Sequence, residues 1–305
     1  MTTSLQLKKL YEQGRNISAL LREERGVACN TREIIEIAYD LQTGSYISAM
    51  ENADMAKHRE AYSNGIADII RSLCDPVSIL EAGVGEATTL SGVLHRLAGE
   101  TCSYGFDLSW SRVAYARDWL RSRGVVDSVL CSGDLFDIPF LDNSVDVVYT
   151  SHSIEPNGGN EEPILRELYR VAGKYLVLLE PGYELAGEAA RRRMDSHGYC
   201  KNLAGVALSL GYKVLEHRLF QFSHNPLNPT ALTIIQKAGN GHVPSGVLAC
   251  PKLKTPLKEV GGMLYSPEAL VVYPRIGGIP CLRIENGIFA SKYEEVFQNS
   301  VGQHA

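Results

Sequence analysis

Val77-Ser78-Ile79-Leu80-Glu81-Ala82-Gly83-Val84-Gly85-Glu86-Ala87 is a short apolar run that breaks at two glycines and turns into a helix near Ala87. A strand-to-helix turn of this kind aims backbone N–H groups and a helix N-terminus across an open crevice, where a ligand can sit. The dinucleotide fingerprint wants a third glycine three residues after Gly85, and Thr88 stands there. Glu81 adds a carboxylate at the strand end, which repels a pyrophosphate and attracts a cation. The turn therefore suits a ligand with a cationic end.

Around this stretch, strands and helices alternate from Pro76 to about Gly239. Strands are expected at Ser78–Ala82, Thr101–Phe106, Ser128–Cys131, Val145–Thr150 and Tyr175–Leu179, and helices at Ala87–Ala98, Ser111–Ser122 and Glu162–Ala172. Such alternation argues for a parallel sheet with helices on both faces. A basic helix from Glu184 to Met194 and another from Cys200 to Leu210 lead to strands Tyr212–Gln221 and Thr230–Gln236. The loop between these strands is too short for a crossover helix, so they pair antiparallel as a terminal hairpin. The fold class is α/β: a Rossmann-like, doubly wound, mostly parallel sheet ending in that hairpin.

Ahead of the first strand the sequence is helical. Leu5, Leu10, Ile17, Leu20 and Leu21 recur at helical spacing between Ser4 and Glu24, and Thr31 is placed to cap a second helix. An aromatic and polar loop from Tyr39 to Tyr46 precedes a third helix, Asp54 to Cys74. Residues 1–75 are thus expected as a helical cover and 76–239 as the core. Beyond Gly239-Asn240-Gly241 the texture changes to short β-like pieces, giving a separate small β-rich module over 247–290.

The chain has 305 residues, 45% hydrophobic and 21% charged, which is ordinary for a globular protein. Its net charge of −5 argues against a general nucleic-acid-binding surface. The seven cysteines are scattered and never spaced C-x-x-C, as expected of reduced thiols in the cytoplasm. The N-terminal residues lack the apolar core of a signal peptide, and no apolar run is long enough to span a membrane.

Enzymes built on parallel sheets bind ligands at the carboxyl ends of the strands, where strand order reverses. Strand one ends at Glu81 and Gly83. Strand two ends in Gly105-Phe106-Asp107-Leu108, and a carboxylate there can accept from both hydroxyls of a ribose. Gly133-Asp134-Leu135 follows strand three, pairing an acid for an adenine amine with an apolar side chain for the ring. Strand four runs into Ser151-His152-Ser153-Ile154-Glu155-Pro156-Asn157. S-adenosylmethionine (SAM), with its ammonium, sulfonium, ribose and adenine, answers each of these features.

Over Pro76 to about Ala238 the chain resembles the class I SAM-dependent methyltransferases. The likeness rests on Leu80-Glu81-Ala82-Gly83-Val84-Gly85, Gly105-Phe106-Asp107-Leu108, Gly133-Asp134-Leu135, Asp146-Val147-Val148-Tyr149-Thr150 and Glu167-Leu168-Tyr169-Arg170-Val171. The resemblance implies that Glu81, Gly83, Val84 and Gly85 surround the methionine part of SAM. It implies Asp107 and Leu108 at the ribose, Asp134 and Leu135 at the adenine, and Ser151 at the end of strand four. Some members carry a helical cover, so Tyr39 and Tyr46 are further candidates to close over the cofactor. The Asn-Pro-Pro-Tyr-like residues of enzymes methylating adenine or glutamine nitrogen are absent after strand four.

The C-terminal module resembles the small zinc-ribbon-like proteins that activate certain methyltransferases, through Leu248-Ala249-Cys250-Pro251, Pro256-Leu257, Tyr273-Pro274 and Gly278-Ile279-Pro280-Cys281-Leu282. Leu253 and Ser266 replace expected ligands, and one thiolate cannot build a tetrahedral zinc site, so no metal is expected. A stabilising role, homodimer contacts or docking of a partner are the functions open to it.

Methyl transfer to a hydroxyl needs a base, and His152 backed by Glu155 is the candidate catalytic pair. His152 can equally be a packing residue. His197, Tyr199 and His224 are placed to approach the same mouth, and Arg191-Arg192-Arg193 is either a solvated helix face or an anion reader. The expected reaction is SAM-dependent methylation of a small molecule or glycan precursor at oxygen. The rivals are a nucleotide-dependent oxidoreductase of the same fold and a non-catalytic binding or activating subunit.

Overall fold

The computed structural model describes residues 2–97, 99, 101–238 and 246–301. The expected boundary at Gly239-Asn240-Gly241 and the expected helix end at Ala98 lie outside the described residues.

The chain opens with α1 (Ser4–Glu12), α2 (Ile17–Arg25), α3 (Arg32–Leu41), α4 (Ser45–Ala49) and α5 (Ala53–Leu73). The single helix expected from Ser4 to Glu24 is in fact two. Gly14 adopts a left-handed φ of 79° that ends the first, and the Asn16 side chain caps the second by accepting from Ala19 N at 3.0 Å. The Tyr39–Tyr46 loop is also helical: Tyr39 belongs to α3 and Tyr46 to α4. Thr31 caps α3 as expected, accepting from Ile34 N at 3.3 Å.

The core follows as β1 (Ser78–Ala82), α6 (Thr88–Leu97), β2 (Cys102–Asp107), α7 (Trp110–Ser122), β3 (Val129–Ser132), β4 (Val145–Ser151), α8 (Glu161–Val171) and β5 (Ala172–Pro181). It continues with α9 (Glu188–His197), α10 (Leu203–Ser209), β6 (Lys213–Leu219) and β7 (Thr230–Gln236). The seven strands lie in the order β3-β2-β1-β4-β5-β7-β6. β1 to β5 are parallel, and β7 pairs antiparallel with both β5 and β6. Every residue of β1 is buried, because helices cover both faces of a parallel sheet and its strands read as continuous apolar runs. Strand order reverses between β1 and β4, which opens a crevice beyond their carboxyl ends.

The C-terminal stretch forms β8 (Lys258–Val260), β9 (Met263–Ser266), β10 (Val271–Tyr273), β11 (Arg275–Ile276), β12 (Ile279–Pro280), β13 (Ile288–Phe289) and α11 (Tyr293–Val301). It has a four-stranded antiparallel sheet of its own, ordered β13-β10-β9-β8. Yet it does not stand apart from the core. Cys250, Leu264, Tyr273 and Leu282 belong to the same apolar cluster as Phe106 and Phe140. Cys250 is buried with its Sγ 3.5 Å from the Tyr273 hydroxyl, Ser266 is buried, and Leu253 is exposed. Among the described residues, no helix is long and apolar enough to cross a membrane.

Candidate active site

The crevice holds a cavity of about 460 Å³. Glu81, Gly83, Val84 and Gly85 line it from the turn after β1, Asp107 and Leu108 from β2, and Asp134 and Leu135 from β3. Ser151, His152 and Glu155 enter from the end of β4, and Tyr39 and Tyr46 from the cover. The structure thus brings these candidates to one cavity. Its size is in the range of small-molecule and cofactor sites.

The glycines are there for close approach. Gly83 and Gly85 have φ of 77° and 53°, a region only glycine enters freely. A Cβ on Gly83 would lie 2.2 Å from the Ser153 Cβ, so the turn after β1 nests directly against the turn after β4.

The acids are buried. Glu81 is 2% exposed and accepts from the Tyr149 hydroxyl at 3.1 Å, and burial pushes its pKa up to about 8. Asp107 accepts backbone N–H groups from Gly85 and Ser109, both at 2.9 Å. Burial still holds the Asp107 pKa above its ordinary value, against the pull of Arg112 and those two donors. Asp134 accepts from Phe136 N at 2.9 Å and pairs with Arg32 of α3 at 3.2 Å; burial raises its pKa as well.

His152 leaves β4 with a left-handed φ of 56°, a strained conformation for a side chain of this size. Its Nδ1 lies 2.5 Å from Glu155 Oε2 and its Nε2 2.8 Å from Thr230 Oγ1 on β7. Burial works to lower the His152 pKa, but the hydrogen bond and charge of Glu155 outweigh it, and the net direction is upward. Glu155 also accepts from Asn228 Nδ2 at 2.9 Å. The turn itself hangs on Glu180, which accepts the N–H groups of Ser153, Ile154 and Glu155 at 3.1, 3.2 and 3.0 Å. Burial raises Glu180 to about 7.

Several further residues shape the site. Arg59 of α5 lines the cavity, donates to Thr89 Oγ1 at 3.2 Å and lies 5.6 Å over the Tyr62 ring, with no ion-pair partner among the described residues. Arg112 of α7 sits 4.9 Å from both the Tyr39 and Tyr46 rings and donates from Nε to Tyr39 O at 2.9 Å. Glu86 accepts from Gly44 N and Ile47 N at 3.0 and 2.8 Å, capping α4 from outside. Of the late histidines, His224 lines the cavity, whereas His197 Nδ1 turns to Arg193 O at 2.9 Å. Arg191 and Arg192 are exposed and stand off the cavity.

Residues 79–174 match the methyltransferase domain family. Among solved structures, magnesium protoporphyrin IX methyltransferase from Synechocystis PCC 6803 with bound SAH is similar at 11% identity and a TM-score of 0.53, over 68% of this chain and 100% of that one. A SAM-dependent methyltransferase from Aquifex aeolicus is similar at 19% identity and a TM-score of 0.41, over 52% of this chain and 81% of that one. The first of these likenesses speaks to the fold of the core.

Proposed function

We propose, taking the methyltransferase domain over residues 79–174 as the premise, that this protein transfers a methyl group from SAM to a small-molecule or glycan-precursor acceptor, at oxygen. The observation that carries the reading is the division of charge around the cavity. Glu81 and the Arg59 guanidinium, which has no carboxylate partner among the described residues, face one another's fields, and Arg59 works to lower the Glu81 pKa. An acid and a base so placed complement an amino-acid zwitterion. Asp107 retains acceptor capacity for ribose hydroxyls beyond its two backbone donors, and Asp134 with Leu135 offers an acid and an apolar wall to adenine.

When bound, SAM supplies a methyl carbon activated by the sulfonium. The chain's own part is to orient the acceptor, exclude water and take a proton. Tyr39, Tyr46 and Ile35 of the cover line the cavity and would shield bound reactants from water. His152 lines the cavity just beyond the end of β4, and its ring is oriented by Glu155 on one side and Thr230 on the other. A proton from an acceptor hydroxyl therefore reaches Nε2 by displacing the Thr230 bond or by passing through the Thr230 hydroxyl. The reduced, scattered cysteines favour a cytoplasmic setting, and the acidic net charge favours a small acceptor over nucleic acid.

The test is a thermal shift with S-adenosylhomocysteine (SAH) and NAD in parallel. SAH alone should raise the melting temperature. A shift with NAD alone would transfer the chain to the oxidoreductases. SAH binding without turnover on any panel of hydroxylated acceptors would favour a non-catalytic subunit.

A further inference from the structure

Helix α3 divides its contacts sharply. Its apolar residues Ile34, Ile37, Ala38 and Leu41 cluster with Leu7, Ile17 and Leu21 of α1 and α2, apart from the apolar clusters around the sheet. The stripe at four-residue spacing, Arg32, Glu36 and Asp40, faces the core instead. Arg32 pairs with Asp134 at 3.2 Å and lies 4.3 Å over the Phe136 ring, and Asp40 Oδ2 accepts from Ser109 Oγ at 2.7 Å. Polar contacts of this kind are weak one by one. The placement of the cover therefore depends in part on how firmly these core-side partners are held, alongside the Glu86 bonds to Gly44 and Ile47.

Those partners sit on two segments, the loop 133–141 and the first turn of α7, and C-terminal residues grip both. Leu282 N donates to Ser132 O at 2.9 Å, beside a parallel bridge between Cys281 and Ser132 that extends the β3 edge. Ala249 N donates to Pro139 O, and Leu141 N to Val247 O, both at 2.9 Å. Lys254 pairs with Glu167 at 2.9 Å and Asp137 at 3.7 Å. On α7, Trp110 Nε1 donates to Ile276 O at 3.3 Å and Arg117 Nη1 to Gly277 O at 2.5 Å. Arg283, next in the chain after Leu282, then reaches across to the cover and bonds Glu36. It is 13% exposed, and its Nε is buried without an acceptor among the described residues.

We propose that the C-terminal module is an intramolecular clamp that sets the helical cover over the cofactor cavity, with Arg283 as its positioning residue. Its function is then to join the cover helix to the loop bearing Asp134, rather than to hold a metal or recruit an activator. The inference rests on the SAM reading of that cavity.

The experiment is a double-mutant cycle of Glu36→Gln, Arg283→Met and the pair, read by SAH calorimetry and by amide exchange over residues 32–46. Each single change should weaken SAH about fivefold and speed exchange in the cover, and the double should be no worse than either single. Arg283→Lys should restore part of the affinity. Glu36→Gln changes a side chain on the cover surface, so its effect is free of any folding defect in the module. Wild-type affinity and exchange in both single variants would overturn the clamp, and so would additive losses in the double. If SAH fails to bind the wild type, the cofactor reading falls, and cover exchange in the variants still decides the clamp.

Discussion

Replacing Glu81 with glutamine should make the unliganded protein more stable and the liganded protein rarer. The carboxyl is 2% exposed, and burial lifts its pKa from an ordinary 4.5 to about 8. Because the folded value lies above the unfolded one, the stability contributed by the neutral carboxyl is whole below about pH 4.5. It is lost as pH rises towards 8. At pH 7 the loss comes to about 3 kcal/mol, from roughly two and a half pH units at 1.36 kcal/mol each. Glutamine keeps the shape and the acceptor for Tyr149 but does not titrate. Its melting temperature should match wild type near pH 4.5 and exceed it by about 5 °C at pH 7. SAH affinity should move the other way, because the ammonium loses its ionic partner. In the wild type that affinity should climb about tenfold per pH unit from pH 6 to 7, with release of a proton. Melts across pH 4.5–8.5 and calorimetry in two buffers of different ionisation enthalpy measure both effects. A Glu81→Gln protein no more stable than wild type at pH 7, or SAH binding that releases no proton, would refute the reasoning.

The other expectations follow from neighbouring contacts. Asp107→Asn should weaken SAH at least tenfold in calorimetry and destabilise the fold by one lost acceptor, because either the Gly85 or the Ser109 N–H then faces an amide donor; Asp107→Ala removes both acceptors, at about 1–3 kcal/mol each. If His152 is the base, His152→Ala should slow turnover by about 10²–10⁴-fold with SAH affinity unchanged. The wild-type rate should then rise with pH through a pKa above the ordinary histidine value, and Glu155→Gln should shift that rise to lower pH. An unchanged profile in Glu155→Gln would separate the pair from the chemistry. Purified protein should carry no zinc by elemental analysis, and chelators should leave its melting temperature alone, since Cys250 is engaged with Tyr273 in the apolar core.

The strand ends were readable from sequence because a parallel sheet forces its ligands to one edge. Glu81, Asp107 and Asp134 each follow an apolar run, and the rule needs only the run and the residue that ends it. By the same rule Glu180 was legible in Leu179-Glu180-Pro181 but escaped, because the expected fifth strand stopped at Leu179. Antiparallel pairing of Glu180 with Ala231 and of Pro181 with Thr230 carries the strand further. Arg59 and Arg112 were out of reach for a different reason. They project from helices, and only the packing of α5 and α7 against the sheet turns them into the cavity. The short helix α4 is the clearest non-local case: five residues preceded by glycine are held by Glu86, some forty positions away, which accepts from Gly44 and Ile47.

His152 shows where sequence and structure divide the work. Position after the fourth strand brings it to the reversal of strand order, and that much is local. What the imidazole can do there depends on Thr230 and Asn228, which arrive from the terminal hairpin. Thr230 occupies Nε2, and Asn228 helps to fix the Glu155 carboxylate that occupies Nδ1. A ring bonded at both nitrogens is held in one orientation, which suits directed proton transfer and equally suits a rigid buttress. Glu155 raises the pKa of the ring and so favours its protonated form relative to a free imidazole, and base catalysis is helped by a higher working pH or by an acceptor whose arrival breaks the Thr230 bond. Thr230→Val separates these cases. Freed Nε2 should speed a reaction limited by that bond, and slow one in which the hydroxyl passes the proton on.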